Sequence, residues 1–149
     1  MPLDASFAGR TYPPTGPYEV GREKIREFAD AIGDPEPAYR DPEAARALGH
    51  PDVVAPPTFA VIVAFRGIDA ITGDPELGLD FSRVVHGDQR FRYDRPLRAG
   101  DRVTATAVVE TVRSIGGNDI LGVRCDLATE DGEAVGSAWS TLVARGESA

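Results

Sequence analysis

The chain has 149 residues, 42% of them apolar and 27% charged, with a formal net charge of −8. Those are the proportions of one globular domain, long enough to bury a core. The acidity leaves too little positive charge to neutralise a run of phosphates and disfavours an anionic lipid surface, so nucleic acid and membrane are excluded as partners.

Residues 1–17 carry Pro2, Pro13, Pro14 and Pro17 and read as an extended, turn-rich lead-in to a single domain spanning 1–149. Phe7 and Tyr12 within it are expected to be pinned against the body. There is no basic region followed by an apolar core at the start, and no apolar run reaches the roughly 18 residues of a membrane span. One cysteine, Cys125, permits no internal disulfide and fits a reducing compartment, so a cytoplasmic protein is expected.

"YEVGREKIREFADAIG" places Ile25, Phe28, Ala29 and Ile32 at helical spacing. Gly33 suits the left-handed residue that ends this helix, and Pro35 prevents its continuation. "DPEAARALG" predicts a second helix, with Asp41 as cap, Pro42 at its first position and Gly49 past its end. Pro56 and Pro57 then stop the chain, and Thr58 is placed to cap a third helix from Phe59 to Ile71. That stretch is apolar almost all round and predicts a helix buried on every side. At roughly 1.5–3 kcal/mol per buried large side chain it is a main source of stability.

From residue 84 the period changes to two. In "VVHGDQRFRYDRPL", Gln89, Phe91 and Tyr93 share one face, and Arg90, Arg92 and Asp94 the other. Two long strands follow, joined by a hairpin at Gly116-Gly117-Asn118, then a second hairpin at "EDGEA" and a last strand, with residues 146–149 as a frayed tail. Cys125 falls in a strand as a small buried hydrophobe. One buried helix and four strands able to form an antiparallel meander predict an α+β fold, a curled sheet around a central helix. An exposed edge of such a sheet favours a dimer that extends it.

The candidate chemistry lies in "AIGDPEPAY". A carboxylate, Asp34, sits between Gly33 and Pro35, followed by Glu36, Pro37 and Tyr39. With the buried helix and curled sheet, this loop resembles the hot-dog fold of the MaoC-like, R-specific enoyl-thioester hydratase/dehydratase class. The likeness is greatest to the N-terminal-type, non-catalytic subunits of (3R)-hydroxyacyl-acyl-carrier-protein dehydratases. Catalytic halves of that family carry Gly-Asp-x-Asn-Pro-x-His, where Asp and His hold and deprotonate one water. Gly33, Asp34 and Pro37 match; Glu36 stands at the asparagine and Tyr39 at the histidine. An unperturbed Tyr titrates near 10 against ~6.5 for His, so its use as a base at neutral pH costs on the order of 4 kcal/mol.

His86-Gly87-Asp88-Gln89 is similar to the His-Gly-Glu-Gln stretch of the acyl-binding half of two-hot-dog hydratases. The resemblance therefore implies a dehydratase subunit of fatty-acyl metabolism, with an acyl thioester of acyl carrier protein or coenzyme A as substrate. A partner hot-dog chain would supply the catalytic Asp and His. Substrate contacts are expected from the helix start at Pro57, Thr58 and Phe59 and from His86, Gly87, Asp88 and Gln89. Asp34, Tyr39 and His86 are the candidates for catalysis within this chain. Two further readings stay open: a self-sufficient homodimeric hydratase or thioesterase, and an acyl-thioester binding module without turnover. No metal site or cofactor is expected, since two distant histidines and one cysteine give no ligand spacing and no Gly-rich phosphate loop is present. Arg90, Arg92, Arg95 and Arg98 form a possible basic patch for a carrier protein, with outward strand and turn positions as the plainer reading.

Overall fold

Ile25 and Ala29, four residues apart, bury one stripe of the helix Arg22–Ala31 (α1), while its charged residues face solvent. Gly33, at φ 72°, turns the chain out of it. Ile32, expected on the buried stripe, is instead 50% exposed, because it already belongs to the cap beyond the last helical turn. The second helix, Pro42–Ala47 (α2), starts where the Asp41 carboxylate accepts the Glu43 N–H at 2.9 Å. The computed structural model describes residues 2–146; beyond Gly146, the expected frayed tail lies outside the described residues.

The central helix Ala60–Thr72 (α3) presents Ala60, Val63, Ala64, Gly67, Ile68 and Ile71 to the core. Gly67 lets it settle closely on the sheet: a Cβ there would stand 3.3 Å from both Ala105 Cβ and Cys125 Sγ. Cys125 is buried, and its thiol donates to the Ala64 carbonyl at 3.4 Å. The helix is not buried on every side. One layer of sheet covers one flank, and Val61, Ile62 and Phe65 remain half-buried opposite it. Thr58 makes no cap either; the capping position falls on Phe59, which has no side-chain oxygen.

Five antiparallel strands curl about α3: Tyr18–Glu19 (β1), Val84–Tyr93 (β2), Arg102–Ile115 (β3), Asn118–Thr129 (β4) and Ala134–Ala144 (β5). Gly116 and Gly117, at φ 60° and 81°, make the two-residue turn of the β3–β4 hairpin. The sheet order is β1-β3-β4-β5-β2, so the predicted four-strand meander is corrected: β3, β4 and β5 form one, but β2 pairs with β5. The connection from β2 to β3 crosses the end of the sheet, held there by buried Leu97 and by Arg95. The Arg95 guanidinium donates to both Asp101 carboxylate oxygens at 2.8 and 2.9 Å and to Glu133 at 2.8 Å.

The two sheet edges differ. Residues 9–15 run along β3: Gly9 N–H meets Val109 O at 2.7 Å, Tyr12 N–H meets Ala107 O at 2.9 Å, and Thr15 N–H meets Ala105 O at 3.0 Å. Phe7 is buried beneath the Arg10 guanidinium, and the Tyr12 hydroxyl donates to Asp74 at 2.7 Å, so both lead-in aromatics are pinned. β2, at the other end of the order, pairs among the described residues with β5 alone.

Candidate active site

The Asp34 loop is built by its own backbone. Asp34 N–H donates to Ala29 O at 2.9 Å, the Asp34 carboxylate accepts Glu36 N–H at 3.1 Å, and the Glu36 carboxylate accepts Ala38 N–H at 3.2 Å. Both carboxylates therefore serve as local turn caps. A single 3-10 turn, Pro37–Tyr39, follows, and Ala38 O accepts Val54 N–H at 3.1 Å, which ties the loop to the segment leading into α3.

This tie sets Tyr39 in the wall of a cleft of about 360 Å³, with Val54, Ala55, Pro57, Tyr93 and Pro96. Burial raises the Tyr39 hydroxyl above the usual tyrosine range, and the charges of Asp34 and Glu36 raise it further. Tyr39 is thus a more reluctant base than an exposed tyrosine and is present as a hydrogen-bond donor. Tyr93 stands across from it. Its hydroxyl donates to Pro57 O at the start of α3, and burial pushes it up to about 12 against the opposing effect of the Ala60 backbone N–H. The alternation of β2 put Tyr93 on a shared face with Gln89 and Phe91, but gave no sign that this face meets the Asp34 loop.

Of the helix-start residues, Pro57 lines the cleft and Thr58 is exposed. Phe59 is fully buried, edge-on to the Phe28 ring at 5.4 Å, and its N–H is engaged by Pro56 O at 2.9 Å.

The second motif lies farther along β2. A bulge between His86 and Asp88 accommodates Gly87 as the extra residue. A Cβ on Gly87 would stand 3.4 Å from Val143 Cγ2, ordinary contact, so the position needs a residue more than it needs glycine. His86 is exposed, with Nε2 2.9 Å from Asp88 O and its ring edge-on to Phe65 at 5.7 Å. At about 3.3 Å per residue, seven positions separate it from Tyr93 by roughly 20 Å, so His86 does not join Asp34 and Tyr39. Asp88 is exposed, and Gln89 accepts the Ser140 hydroxyl at 2.7 Å.

Three of the four arginines have partners within the chain. Arg90 stacks over Trp139 at 4.6 Å, Arg92 faces Asp94 at 3.7 Å, and Arg95 is held by Asp101 and Glu133. Among the described residues no group of three His, Cys, Asp or Glu side chains is placed to hold a metal ion, and no helix is long and apolar enough to cross a membrane.

The fold has counterparts among solved structures. A MaoC-like dehydratase superposes with a TM-score of 0.86 at 31% identity, over 95% of this chain and 43% of that one. A chain of the HadBC (3R-hydroxyacyl-ACP dehydratase) complex from Mycobacterium tuberculosis gives 0.82 at 34% identity, over 96% of this chain and 99% of that one. Residues 6–138 match the family of the FAS1-like dehydratase domain region. The chain belongs to the MaoC-like hot-dog dehydratases. Among relatives of this MaoC-like chain, a UPF0336 protein of Streptomyces griseus is 62% identical over 145 residues, 97% of each protein. Membership connects the chain to dehydratase chemistry in fatty-acid metabolism. In this MaoC-like chain the Asp34 loop is a capped turn, and Tyr39 lies in the wall of the cleft beside it.

Proposed function

We propose that this chain is the non-catalytic subunit of a heteromeric (3R)-hydroxyacyl-thioester dehydratase. It contributes the fold, a dimer interface and a groove for the acyl chain, while a partner hot-dog chain supplies the catalytic Asp and His. The observation that carries this reading is Tyr39 in the wall of a formed cleft, with its hydroxyl held protonated by burial and by Asp34 and Glu36, at the place where the sequence resemblance expects the histidine. A base already about three pK units above neutrality is moved the wrong way for catalysis. Asp34, engaged by the Glu36 N–H, acts as a cap. His86 lies far from both and is bound to its own strand.

Two observations support the heteromeric form. Among the described residues, β2 leaves one full side of a ten-residue strand without a neighbouring strand, an edge that a second chain can take. The similar Mycobacterium tuberculosis chain comes from a complex that is a 3R-hydroxyacyl-ACP dehydratase. An acyl thioester of carrier protein or coenzyme A is the corresponding substrate.

Co-expression with a MaoC-like chain carrying an intact Asp and His tests the reading. The expected result is a stable complex that hydrates a crotonyl thioester faster than the partner alone, with no turnover by this chain alone. Absence of a complex together with absence of any gain overturns it. Turnover by the purified chain alone would favour the homodimeric enzyme instead.

A further inference from the structure

The amino end of α3 is closed from across the fold. A helix leaves its first N–H groups without partners, and those groups, with the helix dipole, draw in an oxygen. In this chain Pro56 and Pro57 bring no N–H to the helix entry. Phe59 N–H is taken by Pro56 O at 2.9 Å, Val61 N–H by Thr58 O at 3.2 Å and Ile62 N–H by Phe59 O at 3.0 Å. Ala60 N–H, the first of the helix, has no such partner. The residue is 1% exposed, and no backbone carbonyl among the described residues accepts from it.

The Tyr93 hydroxyl fills this place. It donates to Pro57 O, and Ala60 N–H acts on the same oxygen, offsetting part of the rise that burial gives the hydroxyl. Its donor and its acceptor capacity are thus both spent within one turn of chain. Thr58, whose sequence position suits a cap, is exposed and supplies none. Tyr93 is the last residue of β2 and stands opposite Gly136 of β5, where a Cβ would lie 2.3 Å from Arg92 O and 3.2 Å from Tyr93 Cα. A residue without a side chain at 136 therefore lets the end of β2 settle where its tyrosine reaches the helix. Stacking on the Phe91 ring at 6.1 Å fixes the direction of the phenol.

Pro57 and Tyr93 also form one wall of the cleft of about 360 Å³ that Tyr39 lines, so the amino end of α3 borders that cleft from behind the phenol. We propose that Tyr93 is a built-in occupant of this helix end: its hydroxyl holds the Ala60 donor, and a carbonyl or carboxylate oxygen entering the cleft finds that donor already taken. Withholding a preorganised N–H removes the stabilisation it would give to negative charge developing on such an oxygen. Tyr39 bears on the base and Tyr93 on the donor, so the two restraints are separate. The closure does not rest on the subunit reading above.

The test uses the ¹⁵N-labelled full-length chain, unaltered and as Tyr93→Phe and Tyr93→Ala, with sodium formate as probe at neutral pH and constant ionic strength. The Ala60 amide signal is followed by NMR, together with the other α3 amides and thermal melting. In the unaltered chain the Ala60 signal stays in place. In Tyr93→Ala it moves saturably, with an apparent affinity for formate at least about tenfold above that of the unaltered chain, the worth of one freed charge-assisted hydrogen bond. Tyr93→Phe, which loses the oxygen but keeps the ring across the path, falls between the two. A purely structural tyrosine would lower melting in both variants and leave Ala60 silent to formate. The proposal is overturned by that silence in a variant whose other α3 amides keep their native positions, or by an equal formate response in the unaltered chain. Should neither variant fold, the unaltered chain decides: movement of its Ala60 signal overturns the closure, and silence supports it. The subunit reading fails separately, through a partner mixture that gains no hydration, and that result leaves the Ala60 shifts as measured.

Discussion

The β3 and β2 edges solve the same problem in opposite ways. Beside β3, the chain folds its own residues 9–15 against the strand and seals them with Phe7 beneath Arg10 and with Tyr12 on Asp74. Pro13, Pro14 and Pro17 make that strap a poor template for further pairing, since they have no N–H to offer. Beside β2 nothing comparable is present among the described residues, and Phe81 and Val85 are 59% and 41% exposed near its start. A chain that covers one edge with its own residues 9–15 has the means to cover an edge. Under the subunit reading proposed above, the second stays bare because a partner chain would cover it.

Four changes would break or sharpen that contrast. The largest effect is expected on the sealed side, where Phe7→Ala removes a buried aromatic and lowers stability by about 3–5 kcal/mol in thermal or denaturant unfolding. On the open side, Val85→Lys should weaken association with a partner about tenfold by sedimentation, yet leave the melting of the unassociated chain nearly unchanged. If the two results were exchanged, the contrast would be wrong.

Tyr12→Phe is a smaller step, a melting-temperature drop of about 2–4 °C at neutral pH. It also has a pH signature. Burial and the Asp74 carboxylate push the Tyr12 hydroxyl up from 10 to about 12, so its folded pKa is raised. The stability this group contributes is complete below pH 10 and is lost as pH rises through about 12. An alkaline titration of folding should therefore show less loss over that window in Tyr12→Phe than in the unaltered chain. Asp34→Asn is expected to do least. It keeps the Oδ1 acceptor for Glu36 N–H, and hydration by the complex should stay within about twofold. A loss of a hundredfold or more would return Asp34 to the mechanism.

Local signals were legible where a residue acts on its neighbours. Gly33, Asp41 with Pro42, and Gly116-Gly117 mark boundaries through backbone geometry and short-range capping, and the structure places turns and helix starts there. The Asp34 loop was readable for the same reason, since its shape depends on residues two or three apart. Strand order was not. Whether β2 lies beside β3 or β5 depends on pairing across some fifty residues, and on the Arg95–Asp101–Glu133 contacts that hold the crossover. The uncovered flank of α3 escaped for a related reason: hydropathy says that Val61, Ile62 and Phe65 avoid water, but not which molecule shields them. Tyr93 was visible only as a strand residue sharing a face with Gln89 and Phe91, because its role depends on where α3 begins in space.

The bulge in β2 makes residue number, more than residue type, the controlled quantity at position 87. Gly87→Ala has room for its methyl group beside Val143 and Thr141. Deleting the residue would instead restore the two-residue period and turn Val84, Val85 and His86 over, leaving Gln89, Phe91 and Tyr93 where they are. The strand thus consists of two independently phased segments. A single inserted or lost codon there rewrites the face that the first segment presents, without disturbing the cleft at the other end.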